Sequence, residues 1–272
     1  MTHDTLNINL DALLSNYLVQ LQHLLDGISL LETGSAVVTE EEVAESRHFM
    51  SFYPAQNARL TFPEAVAFAN DWLLKSFLRD SIEITGLFLD DCLTVCDLID
   101  ISGKEEMLRS DVNQILDVQS SKNHKLNFPN KVSMLEKKIG ITSPYGNHIL
   151  SINRARACVV HRLGIVSAQD VDQQNELTIK WLHYQMIARE NDTGNEQIIK
   201  ESGTIVKGGS TIAIHWIDHV KVFQLGERIS LTPLELYACI VTFWRFGNSI
   251  DQAIKNYAIS LGLLPSEENP GK

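Results

Sequence analysis

The sequence predicts a mainly α-helical protein with a small β segment late in the chain. Three observations carry this. Apolar residues recur at three- and four-residue spacing over most of the first 160 positions. Helix-start signatures punctuate them: Thr39 with Glu42, Thr61 with Pro63, Ser143 with Pro144, and Thr232 with Pro233 and Glu235. After Gly164 the apolar period falls to two.

Leu10, Leu13, Leu14, Tyr17, Leu18, Leu21, Leu24 and Leu25 predict a helix over 9–32, with Gly34 as its stop. Thr39 to His48 reads as a short acidic helix with a capping box. Tyr53 to Thr61 reads as a loop. A helix opening at Thr61 carries Val66, Phe68, Trp72, Leu73 and Phe77, and a separate, buried one spans Leu87 to Ile99. Amphipathic helices follow over Glu105 to Val118 and Phe128 to Ile139, the latter closed by Gly140. Ser143 as N-cap and Pro144 at the first helical position start a helix that runs to about Arg162 and stops at Gly164. Leu177 to Ile187 reads as a strand. Gly203 to Phe223 reads as a hairpin turning at Gly208-Gly209. A last helix runs from Thr232 to about Leu261. The chain thus reads as an N-terminal helical appendage over 1–55, a helical domain over 56–264 with a β insertion at about 176–224, and a disordered tail over 265–272.

The chain has 272 residues, 44% of them apolar and 21% charged, the composition of an ordinary globular protein. Four cysteines do not make a disulfide scaffold. No run of 18 uncharged apolar residues is present, and Met1 to Asn7 has neither a basic nor an apolar leader region. The expectation is a cytoplasmic protein with reduced thiols and no membrane partner. The net charge of −11 argues against nucleic acid, but its distribution does not. Residues 1–100 hold 16 acidic and 4 basic side chains, residues 101–164 hold 5 and 10, and residues 165–272 hold 13 and 9. One basic segment lies between two acidic ones.

The sharpest local feature is Ile149 to Gly164. Ile149, Ile152, Val159, Val160 and Leu163 form one helical stripe, and Arg156 falls inside it. A guanidinium on an apolar face needs a partner or a wet interface. His161 lies about 140° from Arg156 around the helix, and Arg154 within about 20° of His161. Arginine and histidine gathered at a helix end suit phosphate: one offers a planar fork, the other titrates near neutral pH. The same spacing also fits a core helix whose Arg and His satisfy nearby carboxylates.

Arg156-Ala-Cys-Val-Val-His161, with Gly164 just after, resembles the R-x4–6-H signature of the HEPN superfamily, and Phe128 to Gly140 resembles the helix preceding that motif in bacterial members. The resemblance covers roughly residues 60–165 and loosely 232–261. It implies a HEPN-like helical bundle, here with the late β-hairpin or meander insertion, that pairs into a homodimer with the two motif helices building one composite site. Many members are metal-independent endoribonucleases, in which the ribose 2′-hydroxyl attacks the adjacent phosphate and leaves a cyclic phosphate end. Carried over, His161 moves protons and Arg156 stabilises the transition-state charge. Ala157 departs from the pattern, since active members often carry Asn, Asp or His after the arginine. Asn153 is the nearby polar side chain that takes that role, and Arg154 offers a second arginine at the x6 spacing. No cofactor or metal is implied. Members recur in bacterial stress and phage-defence systems. Three readings stay open: a ribonuclease acting on RNA, a non-catalytic HEPN-like interaction module with a protein partner, and a helical scaffold whose late β segment binds another protein.

Other constellations are weaker. His215 and His219 share a face on either a helix or a strand, but no third ligand accompanies them. Cys92 and Cys96 read as small buried hydrophobes, Asp90-Asp91 as a solvated edge, and Trp72, Trp181, Trp216 and Trp244 as core or interface anchors. No phosphate-loop, dinucleotide or nucleophile-elbow motif is present.

Overall fold

In the computed structural model, residues 9–46, 60–102, 109–140, 142–201 and 203–265 are described. They form seven helices and three strands: α1 (Leu10–Val37), α2 (Glu40–Ser46), α3 (Phe62–Ser102), α4 (Arg109–His124), α5 (Phe128–Ile139), α6 (Gly146–His161), β1 (Glu176–Glu190), β2 (Glu196–Ile199), β3 (Ser210–Gln224) and α7 (Pro233–Ser260). The protein is mainly helical with one small antiparallel sheet. The readings of Arg47 and His48, of Tyr53 to Arg59, of residues 105–108 and of the tail after Pro265 lie outside the described residues.

The helix α3 is the spine, about 60 Å long, and α1, α4, α5, α6 and α7 all pack on it. The sequence pattern suggests two helices here, and the structure has one. Ser81 and Thr85, which weaken helix propensity, donate to the carbonyls of Phe77 and Ser81 at 2.7 Å each, so the spine continues through them. Leu78, Ile82, Phe88, Leu89, Cys92, Leu93 and Cys96 bury its core face.

The first helix shares this core through Tyr17, Leu21 and Ile28. Tyr17 stacks on Phe88 at 4.3 Å between ring centroids, and its hydroxyl meets Thr85 Oγ1 at 3.1 Å and the Phe243 carbonyl at 3.3 Å. Its ring lies against Gly247, where a Cβ would stand 2.6 Å from Tyr17 Cε1. Glycine is therefore what lets α1 and α7 meet. α1 runs past Gly34, which stays helical; the N–H of Val38 donates to its carbonyl at 3.2 Å.

Caps explain the helices read best. Asn127 Oδ1 accepts from the N–H of Asn130, Pro129 sits in the first turn, and Gly140 takes the left-handed conformation, so α5 spans Phe128 to Ile139 as expected. Thr232 and Glu235 form a reciprocal capping box at α7. α6 starts later than its sequence suggests. Ser143 Oγ accepts from the N–H of Tyr145 in a local turn and also bonds Ser249 Oγ at 2.7 Å, so Pro144 and Tyr145 lie before the helix.

The sheet order is β2-β1-β3, all antiparallel. The expected hairpin at Gly208-Gly209 is not what joins paired neighbours: the tight turn lies between β1 and β2 at residues 191–195, and β3 pairs with β1 over fifteen residues. Where β2 ends, helix hydroxyls take over its role along β1. Lys180 N–H donates to Ser151 Oγ of α6 and Leu182 N–H to Thr242 Oγ1 of α7, both at 2.8 Å. Leu177, Ile179 and Trp181 are buried there. Arg245 of α7 locks the other side, 5.5 Å from the rings of Tyr145 and Trp216 and 5.7 Å from that of Trp244. Trp72 is exposed, unlike the buried Trp181. Among the described residues no helix is long and apolar enough to cross a membrane.

Candidate functional site

The site is built on α6. Ile149, Ile152, Ala155, Cys158 and Val159 are buried in the chain's own core, so most of the apolar stripe is already used within one molecule. The face carrying Asn153, Arg156 and Ala157 instead lines a groove of about 570 Å³. Its other walls are Glu83, Gly86 and Leu87 of α3 and His124, Asn127 and Lys131 around the α4–α5 connection.

The charges in this groove are unequal. Lys131 Nζ donates to Asp90 Oδ2 at 2.6 Å and to the Gly86 carbonyl at 3.3 Å, which neutralises it. His124 Nδ1 meets the same carboxylate oxygen at 3.2 Å. Arg156 has no hydrogen bond or ion pair among the described residues, and its Nε is buried without a partner. A buried guanidinium N–H left unmade is costly, so this side chain is disposed to accept an anion. Of the Asp90-Asp91 pair, Asp90 is buried against Lys131 while Asp91 is exposed, so only Asp91 stands at a solvated edge.

His161 lies on the last turn of α6, exposed and away from the groove. Around it Val160, Leu163 and Ile165 are exposed apolar residues, and Leu163, 67% exposed, holds a left-handed φ of 54° that a leucine rarely adopts. The connection beyond is held by Asp170. The Arg162 guanidinium grips both oxygens of the Asp170 carboxylate, which also accepts from Ser167 N at 2.9 Å and Ser167 Oγ at 2.7 Å. Burial opposes ionisation of Asp170, but these donors outweigh it and hold the carboxyl below its ordinary 3.8. Arg154 is exposed and unpaired among the described residues. The structure thus brings Asn153, Arg156 and Ala157 together and leaves Arg154 and His161 outside their groove.

Lys131 and His124 are the groove residues that the sequence reading passed over. Lys131 carried a usable signal: it stands one turn from both Phe128 and Leu135 on the apolar face of α5, as Arg156 stands on that of α6. The basic middle segment is also less free than its charge suggests, because Lys131, Lys138 and Arg162 all pair with aspartates. His215 and His219 do share a face of β3, but four strand residues separate them by about 13 Å, too far to hold one ion. His219 instead packs at a tilt against Trp181, 4.7 Å between ring centroids.

Comparison with family models, curated proteins and solved structures finds no match for this chain.

Proposed function

We propose that this protein is a HEPN-like, metal-independent endoribonuclease whose site is completed by a second copy of the chain. The observation that carries the reading is Arg156: a guanidinium with a buried, unpartnered Nε in an open groove, on the same helix that ends in an exposed His161. Arg156 and His161 diverge around α6, so one chain does not converge them on a single phosphate. A two-fold partner meeting this chain at the exposed Val160, Leu163 and Ile165 supplies the missing geometry. In that composite site Arg156 holds the scissile phosphate and Asn153 orients it. His161 accepts the proton of the 2′-hydroxyl as its oxygen bonds to phosphorus, and the 5′-oxygen leaves taking a proton from water, giving a 2′,3′-cyclic phosphate and a 5′-hydroxyl. The test is cleavage of structured RNA in EDTA by the wild type and by Arg156→Ala. Cyclic-phosphate products from the wild type, lost by about a hundredfold or more in the variant, support the reading. Equal cleavage by both overturns it.

A second reading, a non-catalytic HEPN-like interaction module, is favoured by Ala157. Its methyl lines the groove where a polar side chain would orient Arg156. Retained RNA binding without cleavage would support it.

A further inference from the structure

Among the described residues no strand pairs with the outer edge of β3. On β1 the N–H groups of Lys180 and Leu182 turn away from β3 toward α6 and α7. By the alternation of an antiparallel ladder, odd-numbered pairs such as Trp181 with His219 are the hydrogen-bonded ones between β1 and β3. The even residues of β3, Ile212 through Val222, therefore aim their N–H and C=O groups outward. None of those groups has a partner among the described residues.

Exposed edges are normally guarded by proline, a bulge, inward charges or shortness. β3 has fifteen residues in unbroken one-to-one register and no proline, and its single lysine, Lys221, is tied to Glu235 at 2.9 Å. Ile212, Ile214, Ile217, Val220 and Val222 are all between 40% and 55% exposed.

We propose that this edge pairs antiparallel with the same strand of a second copy of the chain, about a two-fold axis at Ile217, extending the three-stranded sheet to six. The sequence of the strand selects this occupant and this register. Ile217 is the midpoint of Ser210–Gln224, so the pairing uses the full strand. It sets Ile212 opposite Val222 and Ile214 opposite Val220. These are even residues facing even residues, as the outward amides require. It sets Asp218 opposite Trp216 and Lys221 opposite Ala213, so no like charges oppose. An axis at Asp218 would face that carboxylate with its copy, and one at Trp216 would leave Phe223 and Gln224 of each strand without partners. A strand about 50 Å long and about 10 Å deep covers roughly 500 Å² on each partner. That reaches the roughly 1,000 Å² total that a specific interface needs. At this axis α6 contributes His148, whose Nε2 donates to Asp218 at 3.0 Å, and His161 lies about 20 Å further along the helix. The interface is therefore distinct from the seam that the ribonuclease reading requires.

Disulfide trapping of the full chain tests it. An antiparallel pair on the axis and outside the hydrogen-bonded set brings its Cα atoms to about 4.5–5.5 Å, within disulfide reach. The four native cysteines are buried. Ile217→Cys is expected to form a covalent dimer at least tenfold more completely than Thr211→Cys under mild oxidation, and Ile214→Lys with Val220→Lys is expected to shift the particle to a smaller mass by light scattering with the melting temperature retained. A wild-type monomer at micromolar concentration overturns the proposal, as does equal trapping at both positions. A dimer lost with Leu163→Glu but untouched by the β3 lysines also overturns it while leaving the ribonuclease seam intact. RNA cleavage is a separate readout, so either idea can fail alone.

Discussion

Lys131 and Arg156 line the same groove from facing helices, yet only Lys131 is neutralised: it meets Asp90 at 2.6 Å, while the Nε of Arg156 is buried and unpartnered. One cation is paired inside the chain, and the other has no partner among the described residues.

Opposite stability effects follow from that asymmetry. Lys131→Met strands Asp90, already short of a partner at Oδ1, and is expected to cost about 3 kcal/mol. Arg156→Met removes an unmade hydrogen bond while keeping the apolar stem, so stability is expected to hold or rise by about 1 kcal/mol. Urea denaturation of both variants checks the signs. In the same Arg156 variant, RNA affinity is expected to fall and the salt dependence of binding to flatten.

Gly247→Ala is expected to destabilise by about 1–3 kcal/mol, because its Cβ would stand 2.6 and 2.9 Å from ring atoms of Tyr17. Tyr17→Phe, which loses only the hydroxyl's bonds to Thr85 and Phe243, is expected to cost about 1 kcal/mol. Thermal melts that rank the two variants the other way would contradict the close α1–α7 crossing.

Acid stability reports on the anchor beside His161. The folded protein holds the Asp170 carboxyl below its ordinary 3.8, so the unfolded chain binds this proton more readily. The resulting stability is fully present above the unfolded value and is lost as pH falls through the lowered one. Asp170→Asn is expected to cost about 3 kcal/mol near neutral pH and to flatten the stability profile below about pH 4.

Thiol accessibility gives a further check. All four cysteines are buried. Burial pushes Cys96 up to about 12 and Cys158 up to about 11. A disulfide-exchange reagent at pH 8 is expected to label none in the native protein and four after denaturation. Fast labelling of Cys158 in the native state would mean that the α6 core face opens.

What was legible in the sequence depended on range. α5 and α7 were readable because their boundary signals, Gly140 after α5 and Thr232 with Glu235 before α7, act within one turn. The spine reads as two helices in the sequence because its apolar runs, Val66 to Phe77 and Leu87 to Ile99, are separated; Ser81 and Thr85 between them bond back to helix carbonyls in one continuous helix. Gly208-Gly209 looked like a hairpin turn, but strand pairing is a non-local choice that β1 made with β3 across the whole insertion. In the groove, Arg156 stood out as a cation inside an apolar stripe, and Asn153 as the polar side chain near it on the same helix. The walls from α3 and α5 did not, because they are brought there by tertiary packing.

The most direct measurement is RNA cleavage in EDTA by the wild type and His161→Ala, with end-group analysis of the products. His161 is exposed at the end of α6, so its removal is expected to leave the melting temperature within a few degrees. Cyclic-phosphate products from the wild type and none from His161→Ala would place His161 in a metal-independent ribonuclease site. Undiminished cleavage by a folded His161→Ala variant would contradict that role.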